Sequence, residues 1–341
     1  MIVLLTQCFP PDHGGIETLM GQLAMALHAA GRPVTVLADH IRGPAPEPAW
    51  PFPVRRFGGP RLWRRWRKAR VLVALAPRAV LADSWKSLEA LPANPPRVLV
   101  LAHGNELLRQ DGRRGERLRR ALARADVVAA NSRFTAGLLQ GLHGRVEVVN
   151  LPIAPPQPAP RAPRPGMILG LGRLEPRKGF DMVISALPGL PAAHCVIAGD
   201  GPDAARLRAL ATSLGVADRV RFAGGVTEAE KSALLGQAEI LAMPVRREGA
   251  SVEGYGLVYL EAAWFGVPSL AGRDGGAADA VLDEQTGLVV DGTDPAAIQA
   301  ALARLLGDPA LRQRLGDAAQ ARVQHDLTWE AVLPRYLSLL G

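Results

Sequence analysis

The chain has 341 residues, of which 48% are apolar, with two cysteines and a formal net charge of +8, enough for two ordinary domains that each bury a core without staples. Cys8 and Cys195 lie too far apart to read as a metal pair or a disulfide framework, and no apolar run approaches the roughly 20 residues of a membrane span. The basic balance lacks the zinc-ligand set, aromatic RNA-binding strand or heptad dimer that would turn it toward nucleic acid.

Met1 leads directly into a strand-like apolar run at residues 2–6 rather than into a leader peptide. The turn Pro10-Pro11-Asp12-His13-Gly14-Gly15-Ile16-Glu17 follows it and opens a helix through Leu19, Leu23 and Leu27. A diglycine there lets backbone amides approach an anion at a helix start, and it serves equally well as a tight strand-to-helix turn. Further strand-like runs fall at 33–38, 79–82, 97–102, 126–130 and 146–149.

Between the runs at 33–38 and 79–82 lies Arg61-Leu62-Trp63-Arg64-Arg65-Trp66-Arg67-Lys68-Ala69-Arg70. On a helix, Leu62, Trp63, Trp66, Ala69 and Val73 share one face and the cations take much of the rest. Two readings stand: a tryptophan and arginine helix that meets an anionic membrane surface, or tryptophans on the core with the arginines merely solvated. A second basic run, residues 109–124, follows His103-Gly104-Asn105-Glu106, where the 97–102 run ends. Residues 1–160 hold 22 Lys/Arg against 11 Asp/Glu, and the remainder 18 against 21, so the basic partner belongs to the first half.

Residues 152–165 contain so many prolines that they can neither pair in a sheet nor continue a helix, and read as an extended linker. The expected division is an N-terminal domain at 1–151, this linker, a second domain at 166–322, and a helical tail at 323–341 that packs back on the first. Strand-like runs resume at 167–171, 194–198, 219–222, 240–242, 267–271 and 287–290, again alternating with helical stretches. That alternation predicts an α/β fold of two doubly wound, Rossmann-like domains with a shared active site in the cleft they face.

Two glycine-rich turns close strands in the second half. Gly170-Leu171-Gly172-Arg173-Leu174-Glu175-Pro176-Arg177-Lys178-Gly179 sets Arg173 as a planar fork and Lys178 as a point charge around one loop, an arrangement that can clamp a diphosphate. Ala198-Gly199-Asp200-Gly201-Pro202 reads locally as a structural turn. Beyond them, Glu253-Gly254-Tyr255-Gly256-Leu257-Val258-Tyr259-Leu260-Glu261 puts one carboxylate in a loop and another two turns into the helix that Leu257 begins. Two acids so placed can grip a polyhydroxylated ligand, although any isolated pair at that spacing is more commonly a solvated face.

Together these motifs resemble the retaining nucleotide-sugar glycosyltransferases of family 4, which have the two-domain GT-B architecture. The resemblance runs over nearly the whole chain, from Gly14-Gly15 through His103-Gly104, Asn131-Ser132-Arg133-Phe134-Thr135, Gly172-Arg173-Leu174 and Lys178-Gly179 to Glu253, Glu261 and Gly275-Gly276. The stretch from Val252 to Ala262, with Arg273-Asp274-Gly275-Gly276-Ala277, looks most like the phosphatidylinositol mannosyltransferases. The resemblance implies that Arg173 and Lys178 hold the donor diphosphate with the Gly15 amide. It places Glu261 on the ribose and Glu253 against the transferred sugar. His103 falls beside that sugar, and Asp274, Gly275, Gly276 and Ala277 supply further contacts. Gly14, Gly199 and Leu257 complete the donor side. Ala278 and Asp279 stand where many relatives have proline and glutamate, which bears on donor preference.

The implied reaction is metal-independent transfer of a hexose, best matched by mannose from GDP-mannose, to a lipid-linked or polysaccharide-precursor acceptor. Its nucleotide sugar is a substrate, so no cofactor is expected. The alternatives are a UDP-sugar-dependent glucosyl- or N-acetylhexosaminyl-type transferase, a nucleotide-sugar epimerase or hydrolase, and a non-catalytic sugar-nucleotide or anionic-lipid binding module. The expected partners are a nucleotide diphosphate sugar, the glycan or lipid acceptor and an anionic membrane surface reached through Trp63, Arg64, Arg65, Trp66, Arg67 and Lys68. The expected location is the cytoplasm, either free or peripheral on the inner face of the plasma membrane.

Overall fold

Strand runs that are apolar at nearly every position demand cover on both faces, and in the computed structural model, which describes residues 1–12, 14–41 and 46–341, they receive it. His13 of the diglycine turn lies outside the described residues. The chain divides into two units, Met1–Pro152 with Trp329–Gly341, and Ile153–Thr328.

The first unit begins β1 (Ile2–Leu5), α1 (Gly15–Ala29), β2 (Val34–Asp39), β3 (Val54–Phe57), α2 (Arg61–Leu75) and β4 (Ala79–Ala82). It continues β5 (Arg97–Ala102), α3 (Gly112–Leu122), β6 (Val127–Ala130), α4 (Arg133–Leu138) and β7 (Val146–Val148). Its strands form one parallel sheet in the order β3-β2-β1-β4-β5-β6-β7. The strand order therefore reverses between β1 and β4, which pair in register from Ile2 with Ala79 to Leu5 with Ala82. Val3, Leu5, Val80, Val98, Val100 and Leu118 belong to one wholly buried core, so deleting any of these side chains would cost roughly 1–5 kcal/mol.

The second unit runs β8 (Met167–Leu171), α5 (Phe180–Ala186), β9 (His194–Ala198), α6 (Ala204–Ser213), β10 (Val220–Gly224), α7 (Glu228–Gln237) and β11 (Ile240–Met243). It continues α8 (Leu257–Trp264), β12 (Ser269–Gly272), α9 (Ala277–Ala280), β13 (Gly287–Val290), α10 (Pro295–Gly307) and α11 (Pro309–Asp326). This sheet is also parallel, in the order β10-β9-β8-β11-β12-β13, and reverses between β8 and β11. The two doubly wound sheets answer to the α/β fold class expected from the alternation of runs.

Three sequence expectations need correcting. The edge strand β3 went unread because Val-Arg-Arg-Phe is short and only its Phe57 is buried. The proline segment expected as an extended linker at 152–165 is fastened to the second unit, which begins at Ile153. Its few remaining amides and one side chain find partners: Ala162 N donates to the Gly236 carbonyl at 2.9 Å, Arg164 N to Gln237 at 2.8 Å, and the Arg161 guanidinium to the Ala238 carbonyl at 2.6 Å. Proline removes donors but leaves alternate positions free to bond.

Val323 is a buried residue inside α11, and the chain returns to the first unit only at α12 (Trp329–Leu340), after the non-helical Leu327 and Thr328. Helix α12 docks on that unit through Trp329 Nε1 donating to Gln22 of α1 at 3.0 Å and Arg97 Nε donating to the Leu339 carbonyl at 3.1 Å.

Candidate functional site

In open parallel sheets a ligand sits beyond the carboxyl ends of the strands where the order reverses. In the second unit this point lies between the loop after β8, which carries Arg173 and Lys178, and the segment after β11, which carries Glu253.

Lys178 is buried at the end of a 3₁₀ turn, Pro176–Lys178, that Pro176 opens and Gly179 closes with φ +75°. Its ammonium bonds Glu253 Oε2, and Arg177 Nη1 reaches that same oxygen at 2.9 Å. Burial alone would raise the Glu253 carboxyl, but Lys178 and Arg177 outweigh it and hold the group below the ordinary glutamate value. Glu253 is thus ionised, with its charge already spoken for by two cations.

Arg173 faces outward, its side chain 70% exposed and its Nε 3.2 Å from Glu175. Arg177, which the sequence reading left without a role, is a second partner of Glu253 beside Lys178. Its signal was its place beside Lys178 in the same short turn.

A deeper layer holds this loop. Arg246 grips Asp181 with two parallel bonds of 2.9 Å each, and its backbone N donates to the Arg177 carbonyl at 2.9 Å. Both side chains are buried, so the fork ties the start of α5 to the segment leading into Glu253. Burial would raise Asp181, but Arg246 and then Arg206 hold its carboxyl below the usual aspartate value. Nothing in the spacing of positions 181 and 246 announces this pair.

Glu253 and Glu261 are placed separately. Gly256 starts α8 with φ +89°, and a Cβ there would come within 2.6 Å of the Tyr259 ring, so only glycine permits the turn. The Tyr259 hydroxyl donates to the Met243 carbonyl at 2.6 Å, pinning α8 to the end of β11. Glu261, one turn beyond Leu257, accepts a 2.7 Å bond from Lys231 of α7. Burial works to lower the Lys231 ammonium, but Glu261 and Glu228 outweigh it and keep it above the usual lysine value.

Gly276 N donates to the Glu253 carbonyl at 2.8 Å, and Gly275, with φ +76°, lies so close to that carbonyl that a Cβ would be 2.2 Å from it. The diglycine therefore anchors the Glu253 backbone. Asp274 accepts from Arg247 N at 2.7 Å, and Ala277 begins the short α9. Leu257 is the first residue of α8. Gly199 makes a close approach of its own, since a Cβ there would be 2.0 Å from the Gly172 carbonyl.

In the first unit, Gly14 N-caps α1 and Gly15 opens it, and a Cβ at Gly15 would meet open space. His103 follows β5. Its Nε2 lies 2.8 Å from the Asp83 carbonyl, and since a carbonyl only accepts, Nε2 carries the proton. Glu106 accepts from the His103 backbone N at 2.7 Å and so caps its own turn rather than reaching outward.

Helix α2 separates the two readings made of it. Leu62, Trp63, Trp66 and Val73 are 74%, 64%, 53% and 65% exposed, whereas Lys68 is 3% exposed. The tryptophans do not pack on the core. Lys68 is no surface cation either: its ammonium bonds Asp39 Oδ1 and the Thr6 carbonyl, each at 2.7 Å. Arg64 and Arg65 are half-buried against Asp39 and Glu89, and only Arg67 keeps the exposed position expected of the set. The inward positions of α2 go to Lys68, against Asp39, and to Leu72, in the core.

Comparison with known proteins places these features in a family. Residues 13–156 match the model described as Glycosyltransferase Family 4, and residues 156–322 the model described as Glycosyl transferases group 1. The chain is 34% identical to the GDP-mannose-dependent alpha-(1-6)-phosphatidylinositol monomannoside mannosyltransferase of Mycolicibacterium smegmatis, with 100% of this chain and 98% of that protein aligned. It is 33% identical to the protein of the same name from Mycobacterium tuberculosis, over 99% and 97% of the two chains. Among solved structures, a sucrose-phosphate synthase from Thermosynechococcus elongatus shares the fold with a TM-score of 0.81 at 22% identity, covering 99% of this chain and 98% of that one. The chain belongs to glycosyltransferase family 4, and is a glycosyltransferase.

Proposed function

We propose that the chain transfers mannose from GDP-mannose, with retention and without a metal, to a lipid-linked or polysaccharide-precursor acceptor. The observation that carries this reading is the cluster at the reversal point of the second sheet, where Lys178 and Arg177 share Glu253 and the Arg173 fork stands exposed beside them. A nucleoside diphosphate entering there develops charge on its β-phosphate as the glycosidic bond breaks. Cations already seated on the diphosphate stabilise that charge as it develops. Arg173 swings from Glu175 to the diphosphate, and Lys178 exchanges Glu253 for a phosphate oxygen. Glu253, still held by Arg177 through Oε2, turns its other oxygen toward the transferred sugar, and Glu261 binds the ribose hydroxyls.

In this reading the departing phosphate takes the proton of the attacking acceptor hydroxyl on the same face of the sugar. His103, with Nε2 committed to the Asp83 carbonyl, has Nδ1 left as an acceptor toward a sugar hydroxyl. Support for mannose comes from the mycobacterial relatives, whose names state that donor. The exposed tryptophan face of α2 supports a lipid-linked acceptor and a peripheral position at an anionic membrane, since each large apolar side chain fully removed from water contributes about 1.5–3 kcal/mol. No helix among the described residues is long and apolar enough to cross a membrane.

The test is thermal stability against GDP-, UDP- and ADP-sugars. A donor at one hundred times its Kd stabilises by about 2.7 kcal/mol. Stabilisation by GDP-mannose alone is expected, and selective stabilisation by a UDP-sugar would overturn the donor assignment. Rapid donor turnover with no acceptor present would favour a hydrolase.

A further inference from the structure

A groove on the second unit lies at the opposite edge of its sheet from Arg173, Lys178 and Glu253. Its volume is about 680 Å³, and it is bounded by the proline segment, by Glu239 and Pro268 just before β11 and β12, by Trp264 at the end of α8 and by one side of α11 from Pro309 to Gln324. The size falls within the roughly 300–1,000 Å³ of ordinary ligand sites.

Packing fixes its walls. The end of α8 is pressed against α11 at Gly316, where a Cβ would come within 2.2 Å of the Gly266 carbonyl, and Gln320 Nε2 donates to the Trp264 carbonyl at 2.8 Å. The proline wall is held by Arg161, whose guanidinium bonds the Gly236 and Ala238 carbonyls at 3.0 and 2.6 Å. Fixed proline φ angles make that wall stiff before any ligand arrives.

The charged groups are mostly engaged already. Two cations, Arg161 and Arg312, accompany two carboxylates, Glu239 and Asp317, so the lining carries no net charge. Arg312 bonds Glu239 Oε1 at 2.8 Å and the Leu305 and Leu306 carbonyls at 2.7 Å each, and Glu239 Oε2 accepts from Gly166 N at 2.8 Å. Such a lining offers no excess of cations to attract a phosphate or a nucleotide.

The groups left over are largely neutral. Gln313, Asp317, Gln320 and Gln324 share one stripe of α11. Gln313 Nε2 donates to Asp317 Oδ1 at 2.6 Å, which leaves the Gln313 carbonyl oxygen and Asp317 Oδ2 without partners among the described residues. The side-chain amides of the exposed Gln324 and Gln157 have no partner among those residues either. The half-buried Trp264 has neither a ring neighbour nor an acceptor for its indole N–H among them.

An indole flanked by amides is the complement of a hexose. The C–H face of a pyranose ring packs on the indole, and each hydroxyl, at once donor and acceptor, pairs with an amide that also does both. A proline-rich peptide would need aromatic-lined slots where the glutamines stand. We propose that this groove is a carbohydrate-binding site, separate from the reacting centre, which holds a neutral hexose chain against Trp264 with Gln157, Gln313 and Gln324 on its hydroxyls. It performs no chemistry and keeps the enzyme on a glycan by a second point of attachment. The inference goes beyond the transfer reaction and does not depend on the donor assignment.

The experiment uses the full chain. Calorimetric titration with α-linked mannotriose, maltotriose and a ten-residue proline-rich peptide is set beside electrophoresis through gels containing soluble mannan or glycogen. At least one trisaccharide should bind, the tighter one naming the chain as manno- or gluco-configured, and the gel with the matching polymer should retard the protein. Gln157→Ala with Gln324→Ala, at exposed positions whose side chains have no partners, keeps the fold and should weaken trisaccharide binding about 5–100-fold, the loss of two neutral hydrogen bonds. Trp264→Ala should abolish retardation in the gel. Glu253→Gln, which alters the reacting centre, should leave trisaccharide binding unchanged.

Equal trisaccharide affinity in the wild type and both groove variants would overturn the proposal, as would the absence of binding to either sugar. Binding of the peptide in place of the sugars would overturn it in favour of a peptide groove. Loss of trisaccharide binding in Glu253→Gln, or its displacement by GDP-mannose, would place the sugar at the reacting centre and overturn the separate site. Turnover of GDP-mannose on a small acceptor, measured on the groove variants, reports on the transferase reading separately and should match the wild type.

Discussion

Arg177 donates to Glu253 Oε2 at 2.9 Å, on the same oxygen that the Lys178 ammonium holds. The carboxylate proposed to face the transferred sugar and the ammonium proposed to hold the leaving group neutralise each other before any donor arrives. Donor binding then becomes an exchange of partners.

That exchange predicts unequal losses. Lys178→Ala should lower kcat about 10²–10³-fold, the range for removing one donor to developing charge. Arg177→Ala should cost less because Lys178, the proposed phosphate ligand, stays in place, and the double variant should fall short of the product of the singles, since both act on one oxygen. Steady-state kinetics with GDP-mannose and an acceptor extract would check this, and near-normal kcat in Lys178→Ala would end the clamp assignment.

Glu261 should behave differently. Its proposed task is binding the ribose, which does not change charge in the transition state, so Glu261→Gln should raise the donor KM about 10-fold or more with little change in kcat. A fall in kcat at unchanged KM would mean that Glu261 acts on the reaction rather than on the nucleotide.

Asp181 and Glu253 both hold carboxyl groups below their ordinary values. A group harder to protonate folded than unfolded adds stability that is present above its unfolded pKa and is lost as pH falls through the lowered folded pKa. Stability should therefore be level from neutral pH to about pH 5 and decline below about pH 4. Lys231, held above its ordinary value, works at the other end, its contribution being lost as pH rises through the raised folded pKa. Urea unfolding across pH would show both limbs. Asp181→Asn should be less stable at pH 7 and show a shallower acid decline.

Lys68→Met should destabilise the first unit by about 3–5 kcal/mol, because Asp39 would be left as a buried charge without its nearest partner. Lys68→Met with Asp39→Asn should recover much of the loss. Thermal unfolding of the single and double variants decides it, and an undisturbed single variant would show that Arg64 or water compensates.

Much of the fold is written locally. Runs such as Ile2-Val3-Leu4-Leu5 and Ile240-Leu241-Ala242-Met243 can be stable only as strands covered on both faces, and the glycine-rich turns after them mark their carboxyl ends. The family motifs were legible for the same reason, since Arg173, Lys178, Glu253 and Glu261 sit at fixed offsets from those ends. Helix α2 was legible as a helix, but the side it buries was not.

What tertiary structure alone decided is which charges meet. Sequence determined the strands, their alternation with helices and the cations near Gly172, because those properties depend on neighbours along the chain. Only the folded sheets bring Asp181 to Arg246, Asp39 to Lys68 and Arg177 to Glu253. These pairs span 29 to 76 positions, and the electrostatic gain of each exists only after strand order has brought distant loops to one sheet edge. The same order also gathers the arginines of α2 and α3 around one cavity, which no spacing in the sequence reveals.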